Sequence, residues 1–177
     1  MAKWVAFLRG INVGGNRKIP MADLRRICVD ITSDPDVQTY IASGNLLFAA
    51  DGTADALAAA ISGGIEKAFG FDVPVLVLEE PAIRAVLADC PFPDPPGNQV
   101  MGYLCYGPPV LDQDGVAALQ VASEEVAIVG QTIWLCAPDG IGRSKLAARM
   151  ERLIGVTATA RNRNTIARMV AMLDGGC

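Results

Sequence analysis

Three features of the sequence predict an α+β fold built from two similar halves. Residues 1–79 read as strand, helix, strand, strand, helix, strand, and residues after 98 begin the same order again. Between them stands Pro91-Phe92-Pro93-Asp94-Pro95-Pro96-Gly97, a run that no helix or sheet interior tolerates. Three segments follow: an N-terminal half over 1–90, a Pro-rich linker over 91–97, and a C-terminal half over 98–177, which can still pack as one domain.

Lys3–Leu8 is apolar and β-rich, as a central strand should be, and it runs into the glycine-rich loop Arg9-Gly10-Ile11-Asn12-Val13-Gly14-Gly15. Pro20 then occupies a first-turn position, and Leu24, Ile27, Cys28 and Ile31 recur at helical spacing. Val37–Ile41 alternates as a strand, Ser43-Gly44-Asn45 has turn chemistry, and Leu46–Phe48 starts the return strand of a hairpin. Thr53 is a good N-cap for Ala54–Phe69, a helix that Gly63-Gly64 is expected to weaken or bend. Val73–Leu78 closes the first half as a strand, with Pro74 near its start. Pro81 opens a short helix to about Asp89.

In the second half, Val100–Tyr106 reads as a strand, Asp114–Val121 as a helix, and Glu125–Val129 and Thr132–Cys136 as a hairpin around Gly130-Gln131. Ser144 caps a helix through Leu153. Gly155–Ala160 has no clear strand pattern. The polar cluster Arg161-Asn162-Arg163-Asn164-Thr165 follows, with Asn164 or Thr165 as the cap of a final helix over Ile166–Leu173. Each half therefore matches a split βαβ, the ferredoxin-like βαββαβ type, the second lacking its last strand and ending in an extra helix.

Composition excludes more than it assigns. With 177 residues, the chain can bury roughly 70% of its unfolded surface. It contains no apolar run near ~18 residues, so no helical membrane span and no membrane partner are expected. Arg9 interrupts the first apolar stretch too early for a secretory signal, which points to the cytoplasm. The five cysteines are odd in number, widely spaced and free of C-x-x-C pairs, and they read as buried thiols rather than metal ligands. Histidine is absent, which removes Ser-His-Asp and Cys-His catalysis and histidine metal sites together.

The net charge of −4 is unevenly spread. Residues 1–30 carry six basic against two acidic side chains and residues 141–177 seven against two, while the middle has two bases and fifteen acids. If the two ends met they would form one basic surface suited to a phosphate or carboxylate. Basic helices merely paired with acidic neighbours would carry the same pattern.

The glycine loop is the leading candidate site. Closely spaced glycines let backbone amides turn toward an anion, and a following helix adds the positive end of its dipole. Asn16 and Arg17 stand where a P-loop needs Lys and Ser/Thr, and Gly10, Gly14 and Gly15 miss the G-x-G-x-x-G spacing of dinucleotide binding. A ligand-free tight turn is the alternative. Because strands 1 and 2 of a βαββαβ unit run the same way, the loop and the Ser43-Gly44-Asn45 turn are expected at one sheet edge. The candidate ligand-binding set is Arg9, Gly10, Asn12, Gly14, Gly15, Ser43, Gly44 and Asn45, with Arg161, Asn162 and Asn164 from the later cluster.

Leu8–Gly15, Pro20-Met21-Ala22-Asp23-Leu24-Arg25, Thr39–Asn45, Ser144-Lys145-Leu146 and Thr159–Thr165 together resemble a family of uncharacterised, mostly bacterial proteins, the domain of unknown function family 1697. The resemblance spans nearly the whole chain. It departs at Arg163, where that family usually has tryptophan, and at Cys28–Asp36, which lacks the glycine expected after the first helix. It implies two ferredoxin-like halves and no established reaction, substrate or cofactor.

The function expected from these features is binding of a small phosphorylated or carboxylate ligand at the Arg9–Gly15 loop and the Ser43–Asn45 turn. Nucleic-acid contact is disfavoured by 6% aromatic residues, by the lack of an RNP-like aromatic pattern and by an isoelectric point of about 4.8. A protein-interaction module is a third reading. An enzyme working without histidine is a fourth, but neither Lys145 beside Ser144 nor Ser43 near Arg9 has an identifiable base.

Overall fold

The computed structural model describes residues 1–176. It divides into two compact units, residues 1–84 with the chain from Met169 onward, and residues 85–168.

In the first unit, β1 (Ala2–Leu8) leads into α1 (Met21–Thr32), β2 (Gln38–Tyr40), β3 (Asn45–Ala50), α2 (Ala54–Phe69) and β4 (Val75–Glu79). The four strands form an antiparallel sheet in the order β2-β3-β1-β4. β1 is thus central, which is why its Val5, Ala6, Phe7 and Leu8 are all fully buried. Trp4, Ala6 and Leu8 face Leu24, Ile27 and Cys28 of α1 and Leu57, Ile61 and Ile65 of α2 in one core cluster. The Trp4 indole N–H escapes the cost of burial by donating to the Ala50 carbonyl at 3.0 Å.

Gly63-Gly64 does not interrupt α2, which runs unbroken for 16 residues. A Cβ on Gly64 would stand 2.8 Å from Ile27 Cγ2, so the glycine lets α1 and α2 approach closely. Thr53 caps α2 through its side chain, which accepts from the Ala56 N–H. Asp34, 6% exposed, braces the α1–β2 connection by accepting from the Asp36 and Ala49 amides.

α3 (Glu80–Ala88) carries the chain from one unit to the next. The second unit contains β5 (Val100–Cys105), α4 (Gln113–Leu119), β6 (Glu125–Val129), β7 (Thr132–Cys136), α5 (Lys145–Leu153) and β8 (Ala158–Asn162). Its antiparallel sheet has the order β6-β7-β5-β8, so both units follow the same strand plan. The expectation that the second half lacks its last strand is therefore corrected: β8 pairs with β5 from Cys105↔Ala158 to Met101↔Asn162. The polar Arg161-Asn162 end hides this strand from hydropathy, and pairing with β5 overrides that local signal.

The final helix α6 (Arg163–Leu173) begins three residues earlier than periodicity alone predicts. Its cap is Asn162, whose Oδ1 accepts from the Thr165 N–H at 2.8 Å; neither Asn164 nor Thr165 fills that role. The helix starts in the second unit and its end belongs to the first, where Lys3 Nζ donates to the Leu173 carbonyl at 2.8 Å.

The Pro-rich stretch lies within the second unit. Prolines remove donors and leave carbonyls, and the Arg163 guanidinium donates to two of them, at Phe92 and Pro95. Cys28, Cys90, Cys105 and Cys136 are buried free thiols, while Cys177 lies outside the described residues. No helix among the described residues is long and apolar enough to cross a membrane.

Candidate functional site

The loop after β1 is a small hairpin. Val13 and Asn16 bridge across Gly14 (φ +59°) and Gly15 (φ +77°), and two consecutive positive φ values are the mark of a type I′ turn. Gly10, at φ +71°, turns the chain out of β1. The base of the hairpin closes where the Asn12 N–H donates to the Arg17 carbonyl at 3.1 Å.

The Asn12 side chain is fully engaged. Its Nδ2 donates to the Ile19 carbonyl at 3.0 Å and to the Ala42 carbonyl at 2.8 Å, and its Oδ1 accepts from the Ile19 N–H at 2.8 Å. One carboxamide therefore closes its own loop and fastens it to the turn after β2. Both donors and the acceptor are consumed, so Asn12 acts as a clasp.

That turn is equally constrained. Asn45, fully buried, donates from Nδ2 to the Tyr40 carbonyl at 2.7 Å and to Ser43 Oγ at 3.1 Å. Gly44, at φ +86°, gives its carbonyl to the Leu8 N–H, and a Cβ there would lie 2.8 Å from both Ile11 Cδ1 and Leu8 Cβ. Only glycine meets both conditions. Arg9 is half-buried beside this junction, its backbone N–H donating to the Pro74 carbonyl at 3.0 Å. Arg25 of α1 donates to Thr39 Oγ1 at 2.5 Å, tying the helix to β2.

Unusual backbone is concentrated here. Among the described residues four non-glycines have positive φ, namely Asn12 (+54°), Arg17 (+48°), Ser33 (+59°) and Ile41 (+49°). Ser33 is the ordinary left-handed C-cap of α1, and the other three sit in the two joined loops. For the β-branched Ile41, half exposed at the surface, this conformation costs about 1–3 kcal/mol.

Beside the loops lies a groove of about 430 Å³ lined by Asn12, Gly15, Lys18, Ile19, Met21 and Ala42, among others. Its volume falls within the range of small-molecule sites. Of the expected residues, Asn12 and Gly15 reach it; Gly10 and Gly14 are exposed on the same loop; Ser43, Gly44 and Asn45 shape the neighbouring turn from within. Lys18, Ile19, Met21 and Ala42 were not anticipated. Met21 and Ala42 lie in the motif stretches Pro20–Arg25 and Thr39–Asn45, which is the signal that marks them.

Arg161, Asn162 and Asn164 belong to the other unit and have local duties there. Arg161, 8% exposed, donates to Thr159 Oγ1 and to the Ala160 carbonyl, and burial lowers its pKa to about 10. Asn162 is the α6 cap, and Asn164 packs where a Cβ on Gly97 would overlap it. Among the described residues no group of three or more Cys, Asp or Glu could hold a metal ion.

The family model described as "Protein of unknown function (DUF1697)" matches residues 1–134 of this chain. The chain belongs to that family. The match includes the Arg9–Gly15 loop, the Ser43–Asn45 turn and the groove beside them. A solved structure of the conserved bacterial protein SP0830 from Streptococcus pneumoniae is similar, with a TM-score of 0.70 at 22% identity over 98% of this chain and 99% of that one. The likeness is one of fold. No curated protein matches the chain.

Proposed function

We propose that this DUF1697 protein binds a small anionic ligand, carrying a phosphate or carboxylate, in the groove between the Arg9–Gly15 loop and the Ser43–Asn45 turn. The observation that carries the reading is the packing of three strained non-glycine residues and four positive-φ glycines into two clasped loops that border a groove. Backbone strain persists where surrounding structure over-determines it, and it gathers at ligand clamps. Gly15 and Lys18 line the groove, and the exposed Gly10, Gly14 and Arg17 of the same loop add amides and positive charge for an incoming anion. Asn12, Ser43, Gly44 and Asn45 hold the loops in place, while Ile19, Pro20, Met21 and Ala42 give the ligand an apolar seat.

The same strand order in both units supports a ferredoxin-like plan for each half. Four buried free thiols support residence in a reducing compartment such as the cytoplasm. A protein-contact role has one observation in its favour, the exposed Val13 and Ile41 at the tips of the joined loops.

Native mass spectrometry of freshly purified protein, followed by release and identification of any small molecule, tests the reading. The expected result is a phosphate- or carboxylate-bearing metabolite that is lost from Lys18→Ala, a surface change that leaves folding intact. A protein that stays apo and fails to take up anionic metabolites at millimolar concentration rejects the ligand reading in favour of protein contact.

A further inference from the structure

The outer strand of the second sheet is an open edge. In the order β6-β7-β5-β8, β6 has β7 on one side only, and among the described residues no other element packs closely along it. The Cys105 N–H donates to the Gln131 carbonyl, so Gln131 directs its backbone groups to β5 while the alternate residues Thr132, Trp134 and Cys136 direct theirs to β6. Their partners Val129, Ala127 and Glu125 are thereby engaged. The N–H and C=O groups of Val126 and Ile128, between them, point outward from the sheet.

The first unit follows the same strand plan but protects the equivalent edge. Its outer strand β2 is only the three residues Gln38-Thr39-Tyr40, with α1 against it and Arg25 donating to Thr39 Oγ1. Shortness, polarity and cover are the usual ways of blunting an edge. β6 has none of them: Glu125-Val126-Ala127-Ile128-Val129 contains no proline and no lysine, and its one charge is at the first residue. Val126 packs on the core with Ile133 and Leu135, while Ile128, two residues on and on the same face, is left 44% exposed.

We infer that β6 is an interaction edge for a second copy of this chain, paired antiparallel across a two-fold axis at Ala127. Val126 of each copy then stands opposite Ile128 of the other, and the outward N–H and C=O groups of all four residues are satisfied. The closest approach falls at the axis, where Ala127 is the smallest side chain of the strand. Ile128 gains a β-branched neighbour in Val126 and loses its exposure. Glu125 meets Val129, so the two Glu125 residues stand about 14 Å apart, beyond the screening length of about 10 Å at 0.1 M salt. A shift of register one way brings in Glu124, whose carbonyl already accepts from Gln120 Nε2 at 2.6 Å. A shift the other way brings in Gly130, which sits in the turn at φ +57°. The Ala127-centred register is thus the one that uses both open residues and no occupied one.

Sedimentation velocity on the full chain, up to about 100 μM, is expected to show a monomer–dimer equilibrium whose heavier species has twice the 18.6 kDa chain mass. Ile128→Lys, a surface change, should weaken dimerisation at least about tenfold while thermal unfolding shows the monomer still folded. Ala127→Cys, in a chain also carrying Cys177→Ser, reads the register without blunting the edge. Facing Cα atoms of a non-hydrogen-bonded pair stand about 4.5 Å apart, within disulfide reach, so mild oxidation should give a covalent dimer. Glu125→Cys in the same background should not crosslink. A chain that stays monomeric at about 100 μM overturns the proposal. So does a dimer that Ile128→Lys leaves intact, the result expected of contact through the exposed Val13 and Ile41, or one in which Glu125→Cys crosslinks as readily as Ala127→Cys.

Discussion

Asn12 Nδ2 donates to the carbonyl oxygen of Ala42 at 2.8 Å, joining two loops that stand thirty residues apart in the sequence. The same carboxamide holds Ile19 from both sides. Positioning of the candidate groove therefore depends on one side chain in a left-handed backbone conformation.

Asn12→Ala removes three hydrogen bonds and places a Cβ-bearing residue without local polar compensation at φ +54°. The expected loss is about 2–4 kcal/mol of folding stability. Asn12→Gly loses the same bonds without the conformational cost and should be less damaging by about 1 kcal/mol. Denaturant unfolding of the two variants checks the order; equal losses would show that backbone conformation contributes nothing.

Gly44→Ala should be worse than an ordinary turn substitution, because its methyl group meets Ile11 and Leu8 at 2.8 Å while φ stays at +86°. We expect a loss of about 3 kcal/mol or more, seen as a lowered denaturation midpoint. Gly14→Ala, with open space around it, should cost only about 1 kcal/mol.

Arg163→Ala withdraws the fork that satisfies the Phe92 and Pro95 carbonyls. Faster hydrogen exchange at the Phe92 and Asp94 amides is expected, with a stability loss of about 1–3 kcal/mol. Exchange unchanged in this stretch would mean that proline stiffness alone holds it.

Stability should fall at alkaline pH. Burial, reinforced by Asp34, raises Cys28 from an ordinary pKa of 9.0 to about 12. The unfolded chain then loses this proton first, so the contribution is intact below pH 9 and disappears as pH rises through about 12. Tyr103, Cys105 and Cys136 shift in the same direction through burial, whereas Arg161, lowered to about 10, works the opposite way. Unfolding free energy measured from pH 8 to 10.5 should decline in the wild type and decline less steeply in Cys28→Ala.

Local chemistry made much of this legible in advance. Alternation in Val37–Ile41, the Thr53 and Ser144 caps and the Gly130-Gln131 turn are short-range signals, and the corresponding elements formed within a few residues of expectation. β8 was missed because Arg161 and Asn162 break its apolar pattern; their polar groups are satisfied by Thr159, the Ala160 carbonyl and the α6 N-terminus. Asn12 is legible as a loop carboxamide, but its hydrogen bonds to Ile19 and Ala42 are not. A sequence shows that an amide is available, not that Ile19 and Ala42 already occupy it.

The sequence by itself determined the order of elements in the first half, the exclusion of histidine chemistry and the nearness of the glycine-rich loop to the turn after β2. These depend on residue type and spacing over a few turns of chain. Tertiary structure decided which polar groups remain available and that β8 completes the second sheet. Those outcomes turn on which backbone carbonyl or strand edge arrives within about 3 Å of a given side chain, a distance that no local pattern encodes.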